Sequence, residues 1–213
     1  MRRTEISHPI FARVFERASV RMDRAGAAKY RRQLLAGLSG RVIEVGAGNG
    51  RNFAHYPADV SEVLAVEPEP SLRAAAGRAA EAAPVPIRVV DGVADALPAG
   101  DGEFDAGVLS LVLCSVPDQA VALTEVRRVL RPGGSLRFFE HVVAEHPGAL
   151  RRVQRALDAT IWPRLCGGCH TGRDTVAAIR AAGFVVDDLT RFRFPDTPVV
   201  PAAPHVLGSA IRQ

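Results

Sequence analysis

From Val42 onward the chain alternates short apolar runs, rich in Val, Ile, Leu and Phe, with longer Ala- and Leu-rich stretches. That order is expected of β-α units around a mostly parallel sheet, whose buried strands read as continuous apolar runs. The runs predict strands at 42–45, 63–66, 87–90, 105–110, 135–141 and 184–189, with a seventh at 206–210. Helices are predicted at 70–82, 119–129 and 174–182. Gly133-Gly134 and Gly183 are expected to stop the last two, since helix C-termini favour a residue free to adopt positive φ. Ahead of the first strand, residues 9–22 bring Phe11, Val14, Phe15, Ala18 and Met22 close to one helical face. Two placements satisfy such a face: packed on the sheet, or laid over a ligand pocket as a lid. Pro195, Pro198, Pro201 and Pro204 predict an irregular segment wrapping one end of the sheet before the final strand.

At 213 residues, 47% hydrophobic and 23% charged, the chain suits a single globular domain able to bury its core without disulfides or structural metal. The expected organisation is an N-terminal helical cap over 1–40 and an α/β core over 41–213. No run approaches the roughly 18 apolar residues that span a bilayer, and the start, through Arg2 and Arg3, lacks the apolar stretch of a secretory leader. A cytoplasmic protein with no integral membrane segment is therefore expected. Cys114, Cys166 and Cys169 are too few for a disulfide framework. The net charge of +4 comes from scattered arginines, with Lys29 the only lysine, which argues against a nucleic-acid surface. Arg151, Arg152 and Arg155, at helical spacing, read as a solvated helix face.

Chemistry enters with Gly46, Gly48 and Gly50, which follow a buried strand directly, so the backbone can turn sharply and approach a ligand with no Cβ in the way. The G-x-G-x-G spacing differs from the dinucleotide fingerprint, whose third glycine stands one position later, and so disfavours a nicotinamide cofactor. Glu67 ends the second strand 17 residues after Gly50, where nucleotide-binding sheets present an acid to ribose hydroxyls.

The run Glu44-Val45-Gly46-Ala47-Gly48-Asn49-Gly50 resembles motif I of class I methyltransferases, and Asp91-Gly92-Val93-Ala94-Asp95-Ala96-Leu97-Pro98 resembles their adenine-side segment. Glu103-Phe104-Asp105 and Leu130-Arg131-Pro132-Gly133-Gly134 match the same class. The resemblance implies a Rossmann-like, seven-stranded, mostly parallel sheet flanked by helices. It also implies S-adenosylmethionine as cofactor and S-adenosylhomocysteine as product. By the same likeness the cofactor would meet Glu44, Gly46, Ala47, Gly48, Asn52, Glu67 and Pro68, then Asp91, Gly92, Val93 and Ala94, then Ser110 and Leu111.

Two further stretches, Leu111-Val112-Leu113-Cys114-Ser115-Val116 and Phe139-Glu140-His141-Val142, resemble the methyltransferase-like family that includes the mammalian alkyl-thiol S-methyltransferases. The likeness continues through Val153-Gln154, Leu157-Asp158, Trp162, Gly168-Cys169, Thr171 and Pro204-His205-Val206-Leu207-Gly208. It implies a small-molecule acceptor, foremost a thiol; the alternative is methyl transfer to N, O or C of a lipid, quinone or other small metabolite. The mammalian members begin with a long hydrophobic membrane-associating segment and carry Asp where Glu67 stands, whereas this chain begins with a charged amphipathic segment.

His141 closes the fifth strand on the rim where open α/β sheets bind ligands, and suits a base or thiolate-stabilising cation; a histidine bonded to a loop backbone is the plainer role. Cys114 after the fourth strand would line the methyl channel or serve as a small buried hydrophobe. Cys166-Gly167-Gly168-Cys169-His170 spells the C-x-x-C-H of haem attachment, but no export route accompanies it, and with no second cysteine pair no metal is expected. The segment reads instead as a substrate loop or a crossover, with Trp162, Leu165 and Cys169 as substrate contacts.

Overall fold

In a computed structural model, which describes residues 9–195 and 200–213, the chain forms one seven-stranded sheet in the order β3-β2-β1-β4-β5-β7-β6. The strands are β1 (Gly40–Val45), β2 (Val60–Val66), β3 (Ile87–Val90), β4 (Phe104–Ser110), β5 (Leu130–His141), β6 (Phe184–Arg193) and β7 (Pro204–Arg212). β1 to β5 run parallel, and β7 lies antiparallel between β5 and β6. The Rossmann-like reading holds, and all seven predicted strands are present, most of them longer than the apolar run that signalled them. Pro198 and the charged start around Arg2 and Arg3 lie outside the described residues, as does the side chain of Phe11.

The sheet is covered on both faces. Ile43, Val45, Leu64 and Val66 belong to one buried cluster, while Val42, Val63, Ala65 and Val108 belong to the other. Successive strand residues thus feed opposite layers, the direct result of period-two side chains in a doubly covered sheet. Each fully buried Val, Leu, Ile or Phe contributes about 1.5–3 kcal/mol relative to exposure, so the apolar runs both form the strands and set their depth.

The helices are α1 (Pro9–Met22), α2 (Ala28–Leu35), α3 (Pro70–Ala80), α4 (Gln119–Val129), α5 (Ala149–Asp158), the single turn α6 (Trp162–Leu165) and α7 (Thr175–Ala181). Glu69, Asp118 and Asp174 cap α3, α4 and α7, each carboxylate accepting a free backbone N–H of the first turn. Gly183 follows α7 with φ of 85°, as its stop role requires. Gly133-Gly134 does not stop α4: Leu130 is already extended and pairs with Phe104, so the glycines shape the entry of β5 instead. Pro204 is the first residue of β7, leaving Pro195 and Pro201 in the irregular approach.

Candidate active site

The glycine loop leaves β1 at the point where strand order reverses, between β1 and β4, the crevice where open α/β sheets receive ligands. Gly46, Gly48 and Gly50 all hold positive φ, at 69°, 57° and 76°. A Cβ would strike something different at each: the Val112 side chain at 2.6 Å from Gly46, the Phe15 ring at 3.2 Å from Gly48, and Ala79 at 2.8 Å from Gly50. The loop is therefore pinned by β4's exit, by α1 and by α3 together. Backbone N–H groups of Gly46 and Ala47 donate to Val66 O at 2.8 and 3.1 Å, tying the loop to the end of β2.

Glu67 is buried at that end. Its Oε2 accepts from Gly48 N at 2.7 Å and its Oε1 from Glu69 N at 2.9 Å. Burial raises its pKa against those two hydrogen bonds. One donor per oxygen leaves each a second lone pair, the capacity needed to accept two further hydroxyls. Pro68 O and Glu67 O both accept from Arg73 Nη1 at 2.9 Å, and the same nitrogen reaches Asp91 Oδ1 at 3.2 Å. The ends of β2 and β3 are thereby linked. Gly92 is tight against Val66 and Pro98, and Val93 forms a bridge with Ala96, which closes the Asp91–Ala96 turn.

Glu44 lies beneath the loop with both oxygens engaged, one by Asn52 Nδ2 at 2.8 Å and one by Tyr56 Oη at 2.6 Å. Burial pushes its pKa up to about 7, against the hydrogen bonds of Tyr56 and Asn52. Arg31 of α2 crosses the crevice: Nη1 donates to Asn52 Oδ1 at 3.0 Å and Ser110 Oγ at 3.1 Å, and Nε to Asp23 at 3.0 Å. α1 does not join either core cluster among the described residues; it lies on the glycine loop and α3. Phe15 sits over Gly48, and Ser19 Oγ accepts from Asn49 Nδ2 at 3.0 Å. The described part of this helix packs on the loop and α3 rather than on the strands.

Across the crevice, β4 is followed by Leu111, a non-glycine residue at φ of 62°. This left-handed turn, costly for a side chain with a Cβ, lets Val112 N and Leu113 N both donate to Glu140 Oε1, at 2.9 and 3.1 Å. Burial pushes Glu140 up to about 7. The turn delivers Cys114, buried, beside His141 and Cys169; the three donor atoms lie within 4.8 Å of one another. His141 Nε2 stands 3.2 Å from Cys169 Sγ, and Trp162 Nε1 donates to the same sulfur at 3.4 Å. For His141 burial lowers the pKa, but the hydrogen bond and charge of Cys169 and the charges of Glu140 and Asp158 leave it raised. Cys169 is held above the usual thiol range by its hydrogen bond with Cys114 and by burial, against the pull of His141.

The loop carrying Cys169 is fixed by polar contacts. Asp158 of α5 accepts from Thr171 N at 2.6 Å and Gly172 N at 2.9 Å. The fully buried Gln154 bonds Ala144 N, Val142 O, Thr171 O and Pro201 O. His170 N donates to Cys114 O at 2.8 Å. The His170 ring turns away to Gly168 O and Arg173, so C-x-x-C-H does not converge as a unit. Leu165 is 67% exposed and does not wall the crevice; the one-turn α6 directs it outward while Trp162 faces Cys169.

Residues 43–138 match the family model described as a methyltransferase domain. The human thiol S-methyltransferase TMT1B is 34% identical over 183 residues, 84% of this chain and 74% of that protein. Human thiol S-methyltransferase TMT1A is 35% identical over 185 residues, covering 84% and 75%. The chain belongs to this thiol S-methyltransferase family. It is an S-adenosylmethionine-dependent methyltransferase. A geranyl diphosphate methyltransferase solved with S-adenosylmethionine shares the fold at a TM-score of 0.68 and 14% identity, over 89% of this chain and 85% of that one. No described helix of this methyltransferase is long and apolar enough to cross a membrane.

The residues present fit the cofactor. The glycine loop, the spare lone pairs of Glu67 and the buried, unpartnered Oδ1 of Asn49 all lie on one side of the crevice. Sequence reasoning missed Arg31, Tyr56, Glu140, Gln154 and Asp158 as parts of the site's framework. Arg31 and Tyr56 stand outside the quoted motifs, while the other three lie inside the narrower family likeness and were identifiable there.

Proposed function

We propose that this methyltransferase transfers the cofactor's methyl group to the sulfur of a small-molecule thiol. The observation that carries the reading is the Cys114–His141–Cys169 cluster at the rim of β4 and β5, beside the turn whose Val112 packs on Gly46. The names of the two human relatives point to the same acceptor atom.

In this reading Glu67 receives the ribose hydroxyls. The backbone from Gly46 to Gly48 approaches the amino-acid portion, with Asn52 held in place by Glu44 and Arg31. Asp91, Val93 and Ala94 border the adenine, and Ser110 and Leu111 form the opposite wall. When bound, the cofactor supplies an electrophilic methyl carbon on a sulfonium, and the acceptor must stand about 3 Å from it in line with the bond that breaks. A thiol of ordinary pKa, about 8.5, is only partly ionised at neutral pH, so a cation beside it raises the reactive fraction. A protonated His141 supplies that charge at Nε2, the ring nitrogen that faces the cysteine cluster. Trp162 and Cys114 border the acceptor.

Purified protein incubated with S-adenosylmethionine and a mixed panel of alkyl thiols, amines and phenols, with products read by mass spectrometry, tests the acceptor. S-methyl products are expected from the thiols. Inert thiols with turnover of phenols or amines would overturn the assignment.

A further inference from the structure

We propose that Cys114, His141 and Cys169 are the three protein ligands of a soft divalent metal ion of the zinc class, with a fourth position open to the acceptor thiolate. The open position rests on the thiol reading above; the ligand set does not.

The two sulfurs and the imidazole nitrogen already stand within 4.8 Å of one another, and the His141–Cys169 pair at 3.2 Å. Zinc bonds of about 2.3 Å to sulfur and 2.0 Å to nitrogen put tetrahedral ligands roughly 3.5–3.8 Å apart. An ion therefore enters with side-chain shifts on the order of an ångström. Two thiolates with one imidazole are the borderline-soft donors that zinc prefers, and three protein ligands with one vacancy is the catalytic form of such a site, where four would close it. Cys166 and His170, the other members of the C-x-x-C-H run, are outside the group. Spacing along the chain therefore pointed to the wrong neighbours for Cys169.

The surroundings are those of a held ligand set. Cys114 rides on a turn bonded to Glu140, and Cys169 on a loop clamped by Asp158 and Gln154. Trp162 Nε1 donates to the Cys169 sulfur, the outer-sphere contact that steadies a coordinated thiolate. His141 presents Nε2 to the Cys169 sulfur. Charge also balances: a dication with two thiolates and a neutral imidazole is neutral, and a third thiolate makes the site anionic, facing a cationic sulfonium.

On binding, the acceptor thiol releases its proton to solvent and its sulfur takes the vacancy, the metal replacing the His141 proton as the stabilising charge. A sulfur lone pair then forms the new bond to the methyl carbon, and the methyl–sulfonium bond breaks with its electron pair kept by the departing S-adenosylhomocysteine. The uncharged thioether is a weaker ligand than the thiolate and leaves.

The test uses the full chain, reduced with a phosphine, stripped by chelation and titrated with cobalt(II). Stoichiometric uptake is expected, with thiolate-to-metal charge transfer in the near ultraviolet and the intense visible bands of tetrahedral cobalt. Cys114→Ser and Cys169→Ser should each weaken cobalt binding by roughly tenfold or more, as loss of a ligand demands at least as much as loss of outer-sphere support. Cys166→Ser should behave as wild type, and matching circular dichroism spectra control for folding. Adding a small alkyl thiol should strengthen the charge-transfer band. No cobalt spectrum in the wild type, or one that survives both ligand substitutions, overturns the site. A spectrum that the thiol leaves unchanged overturns the open position. Failure of the thiol reading would show separately, as an intact ligand-dependent spectrum with no S-methyl product.

Discussion

Glu67 and Glu44 stand at the carboxyl ends of neighbouring strands, both buried, yet their surroundings give them different work. Each Glu67 oxygen keeps a lone pair beyond its backbone partner, so Glu67→Ala should weaken S-adenosylhomocysteine binding by roughly 100-fold, the worth of two hydrogen bonds to a charged acceptor at about 1.5 kcal/mol each. Calorimetry checks this, and unchanged affinity would remove Glu67 from the cofactor site. Glu44 has both oxygens engaged and its pKa pushed up to about 7. The folded state then holds its proton more tightly than the unfolded chain, so stability falls as pH rises from about 4.5 to about 7 and levels off above. Glu44→Gln mimics the protonated form. Its melting temperature, followed from pH 5 to 8, should lack that component of the decline and exceed wild type at the alkaline end. The position of Glu67 beside the glycine loop was legible in the sequence, from its spacing to that loop at the end of a strand. The coupling of Glu44 to Asn52, Tyr56 and Arg31 was not, since it depends on α2 crossing a crevice that only the assembled sheet creates.

α1 and α5 mark where element-level reading succeeds and fails. The apolar stripe on residues 9–22 announced a helix correctly, but a stripe does not say what it covers; here it meets a loop and α3 rather than the strands. A chain lacking residues 1–22 should therefore keep its cooperative unfolding while losing roughly tenfold in cofactor affinity, about the 1.4 kcal/mol of one wall contact. Thermal melts and calorimetry on the truncated protein separate the two effects; collapse of the fold would assign α1 to the core. α5 was foreseen only as a solvated arginine face at 151–155; what it buries was not, because its burial inverts the usual rule, with Gln154 fully buried and Val153 46% exposed. Four hydrogen bonds rather than an apolar face anchor it, and apolar periodicity is blind to such an anchor. Cys114, His141 and Cys169 were each read as candidate site residues, but their contact with one another was hidden for a related reason: they lie on β4's exit, β5's end and a distant loop.

For the molecule as a whole, the strand runs sufficed to foresee the sheet, and the glycine loop with Glu67 pointed to the crevice between β1 and β4. Strand order was carried only by family likeness, because local patterns do not encode which strands become neighbours. One part of that order bears on how the protein can be handled. β7 runs opposite to β5, entering beside His141 and leaving beside Ser135, and Arg127 at the far end of α4 binds the Gln213 carbonyl. Gln213 therefore lies at the opposite end of the strands from the chemistry, whereas α1 lies directly on the glycine loop. An affinity handle or fluorescent reporter appended after Gln213 should leave kcat/KM within about twofold of the untagged enzyme, a change below about 0.5 kcal/mol. The same addition ahead of α1 should raise the cofactor's KM. For attaching this enzyme to a support or to a second catalyst, the trailing end is the one to use.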